Sequence, residues 1–376
     1  MSGGAFAWED GGGPPPGSPI PLGLALALTP CGIARNAPPV RRARRRLLDH
    51  IGRVTDRDLR RLLREALAGT LPRLASRLSD EDLRRTTLRR LDRHGLLAEG
   101  ETAGDRPAAL LRFENGRPSP FFAASGSGPF RHHAHPGGLA LHTAENLETT
   151  LLYAEERLGP EGLTPRMRDT LTAAQILHDI AKTWTCGWEA ATGRPRAEGR
   201  LAGEGEHHAL GLAEAILWGA PAEIVAAQAC AHAPPGSPEG LAGVLASFRA
   251  ALILCGRDPR LAERFLGEGG ALGDFALLSG TLVHLGDGGH HLETPAAARL
   301  RTALARMGRD RYGLSENDLD GPPFLALWNL ACAWETIPGL FSTLTQEGEE
   351  ALGRRLGRLV APDREGGTRP RLFAAS

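Results

Sequence analysis

The chain has 376 residues, 41% of them hydrophobic and 5% aromatic, with 44 Lys+Arg against 44 Asp+Glu. That length allows two domains and a sizeable core, and zero formal net charge excludes a global electrostatic case for a nucleic-acid or membrane partner. Five scattered cysteines (Cys31, Cys186, Cys230, Cys255 and Cys332) lack paired spacing and read as reduced thiols of a cytoplasm, not as a disulfide framework.

Residues 1–19 are Gly/Pro-rich and expected to be disordered. The first ten residues are acidic, unlike a secretion signal, and the apolar run Ile20–Leu28 is too short to span a bilayer. The expectation is a soluble cytoplasmic protein without a membrane partner. Residues 20–34 fit either a strand or an apolar docking segment. From Arg41 to Arg93 there are 17 arginines and 8 acids, so this part is strongly basic. Three helices are expected between Val54 and Leu97. The first is capped by Thr55 and carries Leu59, Leu62, Leu63, Ala66 and Leu67 at helical spacing. A short helix, a turn and a longer helix ending in Gly95-Leu96-Leu97 resemble a winged helix-turn-helix, with residues 108–116 as the wing. A helical packing region with a solvated arginine face is the plainer reading, and it is preferred.

Residues 118–138 interrupt the helical pattern. A helix then follows from Gly138 to about Leu158, stopped by Gly159-Pro160. The next starts at Thr164-Pro165, a cap followed by proline at the first helical position, and is expected to run through His178-Asp179 to about Trp184. Further helices are placed near 204–218, 221–232 and 239–256. The remainder is mostly helical, with a Gly-rich break at 267–273, a loop at 286–291 and a polar turn at 315–323. Trp328, Trp334 and Phe341 read as C-terminal core. The fold class is all-α, with no room for a large sheet after residue 130.

The chemistry concentrates at His178-Asp179. Adjacent residues of a helix project about 100° apart, which lets an imidazole and a carboxylate reach one metal ion. One turn later stands Lys182, the single lysine of a chain whose other 43 basic residues are arginine. Three more histidines sit in or at the ends of apolar helices: His142, His207 and His232. A lone buried histidine is usually a hydrogen-bonded core residue. Four at positions that can converge, beside an aspartate, point to metal binding.

The order His142, His178-Asp179, His207, His232 resembles the HD superfamily of metal-dependent phosphohydrolases. The likeness covers residues 118–260 or so. The approach RHHAHPGGLALHT is similar to that of the 3′-to-5′ exoribonuclease branch, and Val54–Leu67 to its lead-in helix. The five-strand nucleic-acid module usual in that branch has no counterpart in residues 1–117. The resemblance implies an HD helical bundle over 118–285. It would follow an apolar segment (1–40) and an Arg-rich helical region (41–117) and precede a helical extension (286–376). It also implies that His142, His178 and Asp179 hold a first metal, with Asp179 bridging to a second completed by His207 and His232. His207 is favoured over His208 because it stands four residues before Gly211. For the last carboxylate, Asp258 fits best by spacing, and Asp287 is the weaker candidate. One or two divalent ions are implied, with Mn, Fe, Co, Ni or Zn favoured over Mg by the mixed ligand set.

Such ions lower the pKa of bound water toward ~7 and neutralise phosphate charge, and Lys182 offers a compact charge for a phosphate oxygen. His132 and His133 fit support or phosphate contacts as well as a simple polar loop. The expected activity is hydrolysis of a phosphate ester by Asp179 and Lys182 with the metal, most naturally a phosphodiester of RNA, single-stranded DNA or a nucleotide. Arg41–Arg93 would attract the polyanion. Two alternatives stay open: an HD-type di-iron oxygenase, and a nucleic-acid-binding protein with a degenerate metal site.

Overall fold

Leucine and alanine, both strong helix formers, alternate with Gly- and Pro-marked stops, and the chain folds accordingly as an all-α protein. The computed structural model describes residues 18–69, 72–97, 118–189 and 192–363. Among these, strands occur only as two two-stranded pairs. Ile20–Pro21 pairs in parallel with Val360–Ala361, bringing the two ends of the described chain together, and Arg200–Leu201 pairs with Glu204–Gly205.

The core of the fold is a helical bundle. Gly138–Gly162 packs against Pro165–Leu177 and Asp274–Asp287, Ala222–Ala229 covers those last two, and Glu206–Trp218 lies on Pro238–Leu254. The starts follow capping chemistry. Thr164 accepts from Met167 N at 3.2 Å and Ser237 from Gly240 N at 3.0 Å, each followed by a proline at the first helical position. Buried apolar residues from Ile20 to Val360 form one connected cluster.

Several boundaries differ from expectation. Asp56, not Thr55, caps Arg57–Leu67, accepting from Asp58 N and Leu59 N. Thr55 instead donates its backbone N–H to Asp169 at 2.9 Å and so ties the basic region to Pro165–Leu177. The Arg-rich helices are docked throughout. Glu214 accepts from Arg73 N and Leu74 N, and Arg77 Nε reaches Leu254 O at 3.1 Å. Arg41, Arg42, Arg45 and Arg46 line the exposed face of Pro38–Arg53, whose Val40, Ala43, Leu47 and Ile51 are buried. The expected wing lies outside the described residues. At Gly159 the backbone turns left-handed, but helical turns resume to Gly162. Residues 20–34 form the short strand and two short helices, Leu22–Ala25 and Pro30–Asn36.

No single described helix is long and apolar enough to cross a membrane. The apolar Pro322–Glu335 and Ile337–Gln346 helices are bent by 91° to each other. Trp328, fully buried in the first of them, donates to Ala134 O at 2.8 Å and holds the loop that leads to His142.

Two helices cross closely at Gly286. A Cβ there would lie 1.8 Å from Thr150 Oγ1 and 2.9 Å from Asn146 O. Gly286→Ala should therefore lower stability by about 1–3 kcal/mol, read as a lower urea midpoint; an unchanged midpoint would show that the crossing relaxes freely.

Candidate metal centre

The helix expected to run to Trp184 stops at Leu177. His178–Ala181 forms tight i→i+3 turns (Ile180 N to Leu177 O, Lys182 N to Asp179 O) before the short helix Lys182–Thr185. This break sits in the middle of the bundle and turns His178 and Asp179 inward, both fully buried. His142 faces them from the first turns of Gly138–Gly162. That helix is preceded by Gly137 at φ 79°, where a Cβ would also strike Val40 at 2.5 Å. His207 comes from the first turn of Glu206–Trp218, and His232 from the turn after Ala222–Ala229.

Asp179 divides its two oxygens between two sets of imidazoles. Oδ2 lies 3.2 Å from His142 Nε2 and 3.3 Å from His178 Nε2, while Oδ1 lies 3.1 Å from His207 Nε2 and 3.7 Å from His232 Nε2. Asp287 closes the ring: Oδ1 stands 3.1 Å from His142 Nε2 and 3.4 Å from His178 Nε2, and Oδ2 3.6 Å from His232 Nε2. Three overlapping triads, His142–His178–Asp179, His178–His232–Asp287 and Asp179–His207–His232, each hold their ligating atoms within 4.8 Å of one another. These buried groups could hold a metal ion.

The polar inventory supports the fit. His178 Nε2, His207 Nε2 and Asp179 Oδ1 are buried without a well-aligned hydrogen bond, although His207 Nε2 faces Asp179 Oδ1 and His178 Nε2 faces Asp179 Oδ2 and Asp287 Oδ1. Orphaned buried polar atoms cost about 1–3 kcal/mol each; a cation among these groups would satisfy such lone pairs together. The opposite nitrogens are occupied. His178 Nδ1 meets Gln175 O at 2.8 Å and His207 Nδ1 meets Glu198 Oε2 at 2.5 Å, which presents each Nε2 to the centre. Asn146 Nδ2 donates to Asp287 Oδ1 at 2.7 Å and approaches His142 Nε2 at 3.1 Å.

The charges give the same message. Burial opposes charge on His178 most strongly, yet Asp179 and Asp287 outweigh it and raise its pKa to about 10. His207 rises to about 9, with burial opposed by Glu198 and Asp179. Burial works to raise Asp179 as well, but His178 and Lys182 hold it well below the usual carboxylate range; Asp287 is likewise held down, by His142 and His178. Buried carboxylates thus draw positive charge into the centre, as protons when no metal is present.

Lys182 is also buried, and its Nζ donates to Asp179 Oδ2 at 2.6 Å. The ammonium also lines a cavity of about 680 Å³ whose walls include His142, His207, His232 and Asp287, so the cluster opens to it. His208 packs its ring 4.5 Å from that of His232 but turns its Nε2 to Ala229 O at 3.1 Å, away from the aspartates. His132 lines the cavity, while His133 is buried at φ 54° between Glu145 (3.1 Å) and Glu293 (3.0 Å).

One predicted ligand is misplaced. Asp258 caps the short Pro259–Phe265 helix at the surface, pairing with Arg260 at 2.6 Å, and its side chain is 42% exposed. The preceding helix already ends at Leu254, with Gly256 at φ 75°, and Pro259 opens the next short helix, so Asp258 serves as its cap instead of facing the centre. Asp287, 55 positions beyond His232, takes the place by the cluster instead. Sequence reasoning also missed Asn146, which stands one helical turn after His142 on the same face. It missed Glu198 as well, which lies in an irregular loop with no periodicity to mark it. Comparison with known protein families, curated proteins and solved structures gives no match to the chain.

Proposed function

We propose that the chain is a metal-dependent hydrolase of phosphate esters of the HD type, acting on a phosphodiester in a nucleotide or nucleic acid. The observation that carries this reading is Asp179, fully buried, with histidine nitrogens at both oxygens and the Lys182 ammonium beside it, next to a cavity lined by His142, Lys182, His207 and His232. One or two divalent ions held there would supply Lewis-acid charge and a nucleophile at neutral pH. Mixed nitrogen and oxygen ligation favours Mn, Fe, Co, Ni or Zn over Mg.

The chain's own residues do the rest. His142, His178 and Asp287 would hold an ion on one side of Asp179, and His207 and His232 on the other. Glu198 orients His207, and Lys182 keeps Asp179 in place while offering its charge to the cavity. In the net reaction water adds at phosphorus, the bond to the leaving oxygen breaks and that oxygen takes up a proton. Lys182 favours this reading over oxygen chemistry, since a fixed ammonium beside the centre complements a phosphate. The exposed arginines of Pro38–Arg53 add sequence-independent attraction for a polyanion.

The test is elemental analysis of purified protein together with a metal-by-substrate screen of RNA, single-stranded DNA, cyclic nucleotides and nucleoside monophosphates. Hydrolysis lost with a chelator and restored by Mn, Co, Ni or Zn is expected. Stoichiometric iron with oxygen-dependent turnover and no hydrolysis would overturn the proposal.

A further inference from the structure

The cavity above the His/Asp cluster carries two arginines on its walls, Arg131 and Arg194. Neither guanidinium makes a hydrogen bond or ion pair among the described residues; other arginines such as Arg41, Arg42 and Arg45 share that state at the surface, but these two line the cavity. Of the lining acids, Glu198 is engaged by His207 and Asp287 by the cluster, leaving Glu204 as the remaining one.

Both arginines stand on anchored backbone. Arg131 follows Phe130, a non-glycine residue at φ 57°, where a side chain is strained. The Phe130 ring is held edge-on to Trp328 at 5.5 Å and lies under Arg301 at 4.3 Å, while Ala134 O accepts from Trp328. Arg194 sits in a tight turn closed by Glu189 N to Arg194 O at 2.8 Å and Gly193 N to Glu189 O at 2.9 Å. Asn329 pins that turn through Gly193 O, and Trp188 pins its base through Ala123 O. Strained or multiply anchored loops that present unpaired guanidinium forks are prepared for an anion, and phosphate matches that fork in two-point contact.

We propose that Arg131 and Arg194 form a clamp for a phosphate adjacent to the scissile one, so that the site selects an oligonucleotide strand over an isolated phosphodiester. This rests on the reading of the cavity floor as a phosphodiesterase centre. The volume, about 680 Å³, is that of a small-ligand site, which suits a short single-stranded segment.

The test compares a dinucleotide with one internal phosphodiester against the same dinucleotide carrying an extra phosphate at its 5′ or its 3′ end. Binding is measured by calorimetry in metal-free buffer, so that nothing is turned over, for the wild type and for Arg131→Ala/Arg194→Ala. In the wild type one phosphorylated form should bind about tenfold tighter than the bare dinucleotide. In the double variant that ratio should fall to near one, and Arg194→Lys should restore part of it. Equal binding of all three ligands by the wild type, or a ratio untouched in the double variant, overturns the clamp. Hydrolysis of the bare dinucleotide by metal-loaded wild type is scored separately. Its absence, with the binding ratio intact, would count against the phosphodiesterase reading while leaving the clamp standing.

Discussion

Asp179→Asn is expected to strip the centre of metal and lower hydrolysis of a simple diester such as bis(4-nitrophenyl) phosphate by about a thousandfold, since the metal's effects amount to several kcal/mol. The amide keeps the shape of the carboxylate but removes the negative charge shared by both sets of histidines. It also leaves Lys182 buried without its anion, and breaking such a pair costs about 3–5 kcal/mol. The companion variant Asp179→Asn/Lys182→Met removes both charges; it should melt closer to the wild type and still bind no metal. Metal content by elemental analysis, read beside far-UV circular dichroism, separates the effects. Retention of stoichiometric metal by Asp179→Asn would refute the assignment. The protons on the cluster add a pH signature. His178 and His207 have folded pKa values raised above 6.5, so their protonation stabilises the metal-free fold fully below pH 6.5 and that contribution fades as pH rises through about 9 to 10. A metal ion displaces those protons, so its affinity should climb as pH is raised across that range.

The second large effect distinguishes the two aspartates. Asp287→Asn should weaken metal binding and reduce turnover by a factor comparable to that for Asp179→Asn, because Asp287 Oδ1 and Oδ2 face three of the four histidines and accept from Asn146. Asp258→Asn should leave both within about twofold. Its partner is an exposed arginine two residues away, and such surface pairs contribute about 0–1 kcal/mol. The reversed pattern, with Asp258 essential and Asp287 dispensable, would sink the arrangement described above. Both variants can be compared by metal titration and steady-state hydrolysis in one buffer.

The helical class and the four histidines were legible because their signals are local. Apolar spacing, capping residues and the His-Asp step all act within a few turns. Asp287 was hard to rank because its approach to His142 depends on a close helix crossing at Gly286, a tertiary fact with no spacing rule. Glu198 is reached through a loop whose path is set by long-range bonds such as Trp188 to Ala123 O. The break after Leu177 was invisible for a similar reason. Nothing in AQILHDIAKTW forbids a continuous helix, and the turn forms where buried polar side chains gather at the centre of the bundle. Arg131 and Arg194 carry no sequence signal in a chain so rich in arginine; their unpaired state is visible only in three dimensions.

The pairing of Ile20–Pro21 with Val360–Ala361 has a practical corollary. Because the two strands run in the same direction, the chain that enters at Ile20 and the chain that leaves at Ala361 do so at opposite ends of one short pairing. Gly23 N also grips Asp363 at 2.8 Å, so the two tails share a single clasp. Cutting the chain back past Pro21 or past Val360 removes the partner of the other strand.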